Sequence, residues 1–116
     1  MIMYHNPRCS KSRQTLERIR TAGVEPRIVD YLKTPLDVAE LDRICAMLGC
    51  EPTQIIRKKE ARFRELGLSL DDKKSRAEWL KILAANPVLI ERPIVVKGRR
   101  AVMGRPPENV DKLLME

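Results

Sequence analysis

Aromatic residues are scarce in this chain: one Trp, two Tyr and one Phe make up 3% of its 116 residues. The hydrophobic core must therefore be built from Leu, Ile, Val and Ala, and the hydrophobic fraction of 43% is large enough for one. Few aromatic side chains are present on which nucleic-acid bases could stack, and the basic residues are scattered. Both features count against binding of single-stranded nucleic acid. We therefore expect no nucleic-acid partner.

The chain also lacks any apolar run long enough to cross a bilayer. Its first five residues have neither the basic region nor the long apolar region of a signal peptide. We therefore expect a cytoplasmic protein without membrane contact. A length of 116 residues fits one compact domain, residues 1–116, which we expect to be a monomer.

Histidine and cysteine are few: there is one His, and the three cysteines are Cys9, Cys45 and Cys50, with no Cys-x-x-Cys. An odd number of cysteines is untypical of a secreted disulfide scaffold. The lone histidine and the absence of paired-ligand spacing count against zinc, so we expect no metal and no bound cofactor. The formal charge of +7 would attract an anionic partner or substrate, but does not identify it.

The order of the predicted elements is β-α-β, a helical middle, then β-β-α. Short apolar runs predict the strands, helical periodicity predicts the helices, and the two patterns follow each other in this order. The helical middle is predicted to form an insertion at about residues 36–87. We therefore predict an α/β protein with a thioredoxin-like fold and a helical insertion between its two halves. The predicted strands are residues 2–4, 27–31, 93–96 and 100–103, with a tight turn at residues 97–99, and the first and last helices are residues 10–22 and 108–115. Within the insertion, the capping patterns of Asp37 with Glu40 and of Ser75 with Glu78 predict two helix starts, and Gly49 ends the first of these helices. A short helix is also predicted at residues 52–58.

Cys9 lies between the first predicted strand and the first predicted helix. The first N–H groups of a helix have no partner within the helix and carry partial positive charge, so a thiolate there is favoured over a thiol. This setting lowers the pKa of a cysteine from about 8.5. The Ser12 hydroxyl can donate a hydrogen bond, and three basic side chains add positive charge nearby: Arg8, Lys11 and Arg13.

Other interpretations of these residues are open at this stage. Cys9 could be a small core residue, although polar and basic neighbours are untypical of one. A phosphatase loop would need an arginine six positions after the cysteine, where Thr15 stands. Cys45 lies on the apolar face of its helix and Cys50 follows a glycine, so we expect structural roles for both. His5 could face the Cys9 thiol or bind the backbone at the strand end.

Four motifs of this chain, at residues 4–13, 55–58, 91–96 and 104–106, together resemble those of one enzyme family, the glutaredoxin-dependent arsenate reductase (ArsC) family. Tyr-His-Asn-Pro at residues 4–7, followed by Cys9 and by Ser-Arg at residues 12–13, is similar to its active-site loop. Residues 55–58 resemble its central arginine motif, residues 91–96 its Arg-Pro strand and residues 104–106 its last arginine loop. The motifs occur in family order over nearly the whole chain, which resembles a short branch of this family within the thioredoxin-like superfamily.

The resemblance implies a role for each matching residue. Cys9 would be the nucleophile, and His5 and Ser12 would help to hold it as thiolate. Pro93 would be the cis-proline that precedes the third strand. The arginines that would clamp the oxyanion are Arg57, Arg92 and Arg105.

The resemblance also implies a reaction and its partners. The Cys9 thiolate would attack arsenate or a similar oxyanion, glutathione would act as co-substrate, and arsenic would pass from the pentavalent to the trivalent state. Glutaredoxin would then resolve the mixed disulfide between Cys9 and glutathione. An external thiol would thus replace the missing second cysteine.

Two other functions remain open from the sequence. A related thioredoxin-like branch regulates transcription by binding RNA polymerase, but it typically carries a Cys-x-x-Cys, and Ser12 stands where its second cysteine would be. A glutathione-linked thiol reductase of another substrate would need the same Cys9 thiolate, so the sequence alone does not separate it from an arsenate reductase.

Overall fold

The computed structural model describes residues 1–115 as two compact units. The first unit comprises residues 1–34 and 92–115, and the second comprises residues 35–91. The strands are β1 (Ile2–His5), β2 (Arg27–Asp30), β3 (Ile94–Lys97) and β4 (Arg100–Met103). The helices are α1 (Ser10–Thr21), α2 (Val38–Leu48), α3 (Ala61–Glu65), α4 (Arg76–Ala85) and α5 (Asp111–Leu114). Short 3₁₀ segments cover Pro52–Ile55, Pro87–Leu89 and Pro107–Val110.

The first unit is built on a four-stranded sheet with the order β2-β1-β3-β4. Strands β1 and β2 are parallel and joined through α1, whereas β3 runs antiparallel to both β1 and β4. The mixed sheet follows from the connections, because a helical crossover produces a parallel pair and a tight turn produces an antiparallel one. The predicted thioredoxin-like α/β fold is confirmed.

The core of the first unit lies where the sheet packs against α1 and the C-terminal segment. Met3 of β1 pairs in register with Val95 of β3, and both side chains are fully buried. Ile19 of α1 and, from the C-terminal segment, Val110 and Leu113 complete this cluster. The core is thus aliphatic, as the scarcity of aromatic residues requires. It anchors β1 and α1, the two elements that flank Cys9.

The second unit is helical, and its helices begin where the sequence predicts. The Asp37 carboxylate accepts a hydrogen bond from the Glu40 N–H at the start of α2. Ser75 and Glu78 form a reciprocal capping box at the start of α4. The helix predicted at residues 52–58 is shorter and is a 3₁₀ segment at Pro52–Ile55, because Ile56 adopts an extended conformation and bridges Ile90.

The last predicted helix is also interrupted. Residues 108–115 were expected to form one helix, but a 3₁₀ segment at Pro107–Val110 precedes α5 at Asp111–Leu114. Among the described residues, no helix has both the length and the apolar character needed to span a membrane.

Candidate active site

A tight loop after β1 presents Cys9 at the start of α1. The Cys9 N–H donates to the Asn6 carbonyl at 3.0 Å, and the Arg8 N–H donates to the Asn6 side-chain oxygen at 3.0 Å. Cys9 is the N-cap of α1, with extended dihedral angles of φ −92° and ψ 125°. Its carbonyl accepts the first helical bond, from the Arg13 N–H, at 3.0 Å. The loop therefore holds the thiol over the open N–H groups of the helix.

Four hydrogen-bond donors converge on the Cys9 sulfur. Arg105 Nη2 lies 3.4 Å from Cys9 Sγ, and the Arg92 guanidinium also donates to it. The other two donors are the backbone N–H groups of Lys11 and Ser12 at the start of α1, which also lower the pKa of the thiol. The confluence of two guanidinium groups and a helix N-terminus favours negative charge on the sulfur.

These donors lower the pKa of Cys9 to about 7, which is below the ordinary value of a cysteine thiol. Burial acts in the opposite direction and raises the pKa, since Cys9 is only 9% exposed. The bonds from the Ser12 N–H, the Arg92 guanidinium, the Lys11 N–H and the Arg105 guanidinium together outweigh burial. This pKa places a substantial fraction of Cys9 in the thiolate form at neutral pH, and the thiolate is the nucleophilic form.

The two arginines at the sulfur come from the segments on either side of the β-hairpin formed by β3 and β4. Arg92 immediately precedes β3, and Arg105 follows β4. The Arg92–Pro93 peptide bond is cis, which is the conformation that the resemblance implies for Pro93. The Arg105–Pro106 bond is also cis, which the sequence analysis did not predict.

Gly104 fixes the position of Arg105 through a close approach of three segments. Its N–H donates to the Pro93 carbonyl at 2.8 Å, and its own carbonyl accepts from Thr15 Oγ1 of α1 at 2.9 Å. A Cβ atom at position 104 would lie 2.8 Å from Pro93 Cγ and 2.9 Å from Thr15 Cγ2. Only glycine fits at position 104. Its hydrogen bond with Thr15 therefore holds the neighbouring Arg105 against α1, the helix whose N-cap is Cys9.

Thr15 and Gly104 were missed as positioning residues by the sequence analysis. Thr15 is fully buried on α1, and its hydroxyl lies 2.9 Å from both the Lys11 and the Gly104 carbonyl oxygens. The position of Gly104 directly before Arg105 and Pro106 was the one sequence feature that could have indicated its positioning role. Thr15 carried no signal, because its partner is 89 residues away in sequence.

Ser12 acts on Cys9 through its backbone. The Ser12 N–H lowers the pKa of Cys9, whereas its side-chain oxygen accepts a hydrogen bond from the Asn6 N–H at 3.4 Å. The sequence alone instead predicts that the Ser12 hydroxyl donates to the thiol. The Ser12 side chain therefore stabilises the loop after β1, and the Ser12 backbone N–H is the group that acts on the Cys9 thiol.

His5 is 94% buried at the end of β1, since only 6% of its surface is exposed. Burial lowers its pKa below 6.5, the Asp30 carboxylate raises it, and the Arg20 and Arg13 guanidinium groups lower it further. The imidazole is therefore neutral at pH 7, and among the described residues its buried Nδ1 atom has no hydrogen-bond partner. The role of His5 in holding the thiolate stays a prediction from the resemblance.

Arg57, the third predicted arginine, belongs to the helical unit. Its Nε atom lies 3.0 Å from Glu60 Oε1, and its Nη1 atom lies 2.6 Å from Glu91 Oε1. Its N–H also donates to the Leu89 carbonyl at 2.7 Å. The guanidinium is thus oriented by two carboxylates, and its role in binding an oxyanion stays a prediction.

The other two cysteines differ from Cys9 in their environment. Cys45 is fully buried and Cys50 is half-buried, and both are free thiols. Burial raises the pKa of Cys45 to about 12 and also raises that of Cys50. Cys9 is therefore the cysteine whose surroundings favour a nucleophilic thiolate at neutral pH.

Comparison with known proteins identifies relatives over almost the whole chain. The family model described as "ArsC family" matches residues 4–113. The uncharacterized protein YfgD of Escherichia coli K12 is 46% identical over 109 residues, covering 93% of this chain and 91% of that protein. An arsenate reductase of Haemophilus influenzae is 43% identical over 115 residues, covering 98% of each chain.

A solved structure agrees with this likeness. The arsenate reductase from Vibrio cholerae superposes with a TM-score of 0.91 at 43% sequence identity. The match covers 96% of this chain and 94% of that one. Sequence and fold therefore point to the same set of relatives.

Proposed function

The chain belongs to the ArsC family, and we propose that it is an arsenate reductase in which the Cys9 thiolate attacks arsenate. The observation that carries this proposal is the Cys9 sulfur, with its pKa of about 7, within reach of the Arg92 and Arg105 guanidinium groups. The names of several relatives, among them the arsenate reductase of Haemophilus influenzae, supply the substrate class.

The first step forms a bond between Cys9 sulfur and arsenic. The sulfur lone pair attacks pentavalent arsenic, and one arsenate oxygen leaves as hydroxide or, after protonation, as water. Negative charge develops on the oxygens that remain on arsenic, beside the guanidinium groups of Arg92 and Arg105. Donors preorganised around a developing oxyanion are a large source of rate enhancement.

The second step reduces arsenic with glutathione as the external thiol. The glutathione sulfur attacks the Cys9 sulfur, the bond from Cys9 sulfur to arsenic breaks, and its electron pair stays on arsenic. Arsenic thereby becomes trivalent, and the two sulfurs are oxidised to a mixed disulfide. Glutaredoxin then reduces this disulfide by thiol–disulfide exchange and regenerates Cys9. A cytoplasmic location supplies the glutathione that this cycle consumes.

The arginines have separable tasks in this scheme. Arg92 and Arg105 serve both the thiolate and the bound oxyanion, because their guanidinium groups already donate to the sulfur. For Arg57, the match to the central arginine motif is the support, and we expect Arg57→Gln to raise KM for arsenate while the pKa of Cys9 stays near 7. A raised pKa in this variant would contradict that assignment.

The deciding experiment is arsenate-dependent oxidation of NADPH by the purified protein in a glutathione, glutaredoxin and glutathione-reductase system. The wild-type protein should turn over, and Cys9→Ser should lose activity to the background rate. Ser10→Ala, which changes the exposed neighbour of Cys9, is the matched control and should retain activity. Full turnover by Cys9→Ser would overturn the proposal.

The same site would also serve a glutathione-linked thiol reductase, because that reaction needs the same thiolate. A parallel assay with a small glutathione mixed disulfide as substrate separates the two activities. A value of kcat/KM higher for the mixed disulfide than for arsenate would favour the thiol reductase.

A further inference from the structure

The C-terminal end of α2 brings Cys45 and Cys50 together. The Cys50 N–H donates to the Cys45 carbonyl at 3.1 Å, and the Gly49 N–H donates to the Ala46 carbonyl at 3.1 Å. Gly49 adopts the left-handed conformation, with φ 68° and ψ 35°. These bonds define a Schellman motif, in which the residue after the glycine folds back over the residue five positions earlier. In many Schellman motifs the two residues joined in this way make an apolar contact, whereas in this protein both of them carry a thiol.

The two thiols interact with each other directly. The Schellman bonds hold the two side chains next to each other, and each thiol affects the pKa of the other. Cys45 is fully buried, whereas Cys50 is partly exposed. The Arg76 guanidinium lies beside the pair and is itself bound by the carboxylates of Asp42 and Glu51. The pair is therefore a dithiol that solvent reaches from the Cys50 side.

We propose that Cys45 and Cys50 form a dithiol site that binds trivalent arsenic compounds. The choice of arsenic rests on the proposed function, since reduction of arsenate produces trivalent arsenic. The partly exposed Cys50 sulfur bonds to arsenic first and Cys45 second. Each thiol proton leaves with one hydroxide of the arsenic compound as water, so two sulfur–arsenic bonds replace two oxygen–arsenic bonds without oxidation or reduction.

The chemistry of the pair favours arsenic over a metal cation. A cation such as zinc would need thiolates and further ligands, and within residues 1–115 no group of three or more His, Cys, Asp or Glu residues could hold a metal ion. Ionisation is unfavourable here, because burial raises the pKa of both thiols. The dithioarsenic product is neutral, so it avoids the cost of placing a charge in this buried setting.

Geometry separates arsenic from mercury. Trivalent arsenic is pyramidal and holds its two sulfurs close together, whereas divalent mercury prefers two sulfurs on opposite sides in a line. The Schellman motif already places Cys45 and Cys50 side by side, so the arsenic bridge requires less rearrangement of the helix end than a linear bridge.

The test uses full-length Cys9→Ser protein, which keeps the dithiol and removes the reactive thiolate. The probe is phenylarsine oxide, in a buffer with a phosphine reductant, and the readout is electrospray mass spectrometry. We expect one phenylarsenic group per chain, stable to excess 2-mercaptoethanol and removed by dithiothreitol. Failure of the Cys9→Ser protein to form this adduct would overturn the proposal.

Two matched variants show whether both sulfurs are needed. Adding Cys50→Ser or Cys45→Ala to the Cys9→Ser protein leaves a single thiol, and the apparent affinity should fall by about 100-fold or more, because a second tethered bond adds an effective concentration in the millimolar range. The Cys50 change lies at a half-buried position, so this variant tests the pair even if loss of the Cys45 thiol prevents folding. Equal affinity in the folded variants contradicts a two-sulfur site.

Arsenite itself provides a second readout that also separates this proposal from the proposed function. Binding to the folded protein should raise the melting temperature of the Cys9→Ser protein, and less so that of its Cys50→Ser derivative. Adduct formation without arsenate turnover in the wild type would leave the dithiol site standing and remove the proposed function. Arsenate turnover without adduct formation would leave the proposed function standing and remove the dithiol site.

Discussion

Arg105 Nη2 lies 3.4 Å from Cys9 Sγ, although 96 residues separate the two in sequence. The contact joins the first loop of the chain to the last one. It combines with the Arg92 guanidinium and two helix N–H groups to lower the pKa of Cys9 to about 7. The thiol chemistry of this protein therefore depends on how its two terminal segments pack.

The first prediction concerns Arg105. Replacing it with Gln removes a charged donor from the sulfur, so the pKa of Cys9 should rise by about one unit, equivalent to ~1.4 kcal/mol. Under the proposed function kcat should fall by about 10²-fold or more, as for loss of an oxyanion donor. The pH dependence of alkylation by iodoacetamide measures the pKa. An unchanged pKa would show that the Arg105 contact does not stabilise the thiolate.

The second prediction separates the backbone of Ser12 from its side chain. Ser12→Ala keeps the N–H that donates to Cys9 and removes the oxygen that accepts from Asn6. The pKa of Cys9 should stay near 7, while the unfolding free energy falls by about 1 kcal/mol for the lost buried hydrogen bond. Alkylation rates and chemical denaturation check the two parts. A rise of one pKa unit would instead assign the effect to the hydroxyl.

The third prediction concerns Gly104. A Cβ atom at this position would lie 2.8 Å from Pro93 Cγ and 2.9 Å from Thr15 Cγ2, so Gly104→Ala should destabilise the fold by about 1–3 kcal/mol. It should also raise the pKa of Cys9, because Arg105 moves with its neighbour. Thermal denaturation and alkylation kinetics measure both effects.

Gly98→Ala is the matched control for that change. Gly98 lies in the turn between β3 and β4 with φ 61°, and beyond its immediate chain neighbours no atom of residues 1–115 lies within 4 Å of an added Cβ atom. Alanine there costs stability through the backbone conformation, but the pKa of Cys9 should remain near 7. A shift of similar size in both variants would mean that general destabilisation, not the displacement of Arg105, changes the thiol.

The fourth prediction is a dependence of stability on pH. Cys9 has a pKa of about 7 in the folded protein and about 8.5 in the unfolded chain. Because the folded pKa is the lower one, the thiolate adds stability that is fully present above about pH 8.5 and lost as pH falls through about 7. The unfolding free energy of wild type minus that of Cys9→Ser should therefore rise by about 2 kcal/mol between about pH 6 and about pH 9.5. Urea denaturation at several pH values measures the difference, and a flat difference would contradict the lowered pKa.

The fold was predictable where the sequence signals are local. The capping pair Ser75 and Glu78, the glycine that ends α2 and the tight turn at Gly98 each depend on residues a few positions apart. The helix predicted at residues 52–58 was too long because Ile56 bridges Ile90, a contact across 34 residues that overrides the local helical preference.

The features of the candidate site were also predictable only where they depend on residues close together in the sequence. Cys9 as a reactive thiol followed from its place between a strand and a helix, since the N–H groups that stabilise a thiolate belong to the helix start itself. Ser12 was identified correctly as a neighbour, but the sequence does not tell whether backbone or side chain reaches the sulfur. Thr15 gave no signal at all, because its partner Gly104 is distant in the chain.

The sequence by itself therefore determined the order of elements, an aliphatic core and a candidate nucleophile at a helix N-terminus. These features depend on periodicity, composition and local hydrogen bonding. Tertiary structure alone decided which basic side chains reach the sulfur, because the first and last segments meet only when β1 pairs with β3 and Gly104 packs against Thr15. The pKa of Cys9 is set by that packing, since a guanidinium lowers it only when it lies within about 6 Å of the sulfur.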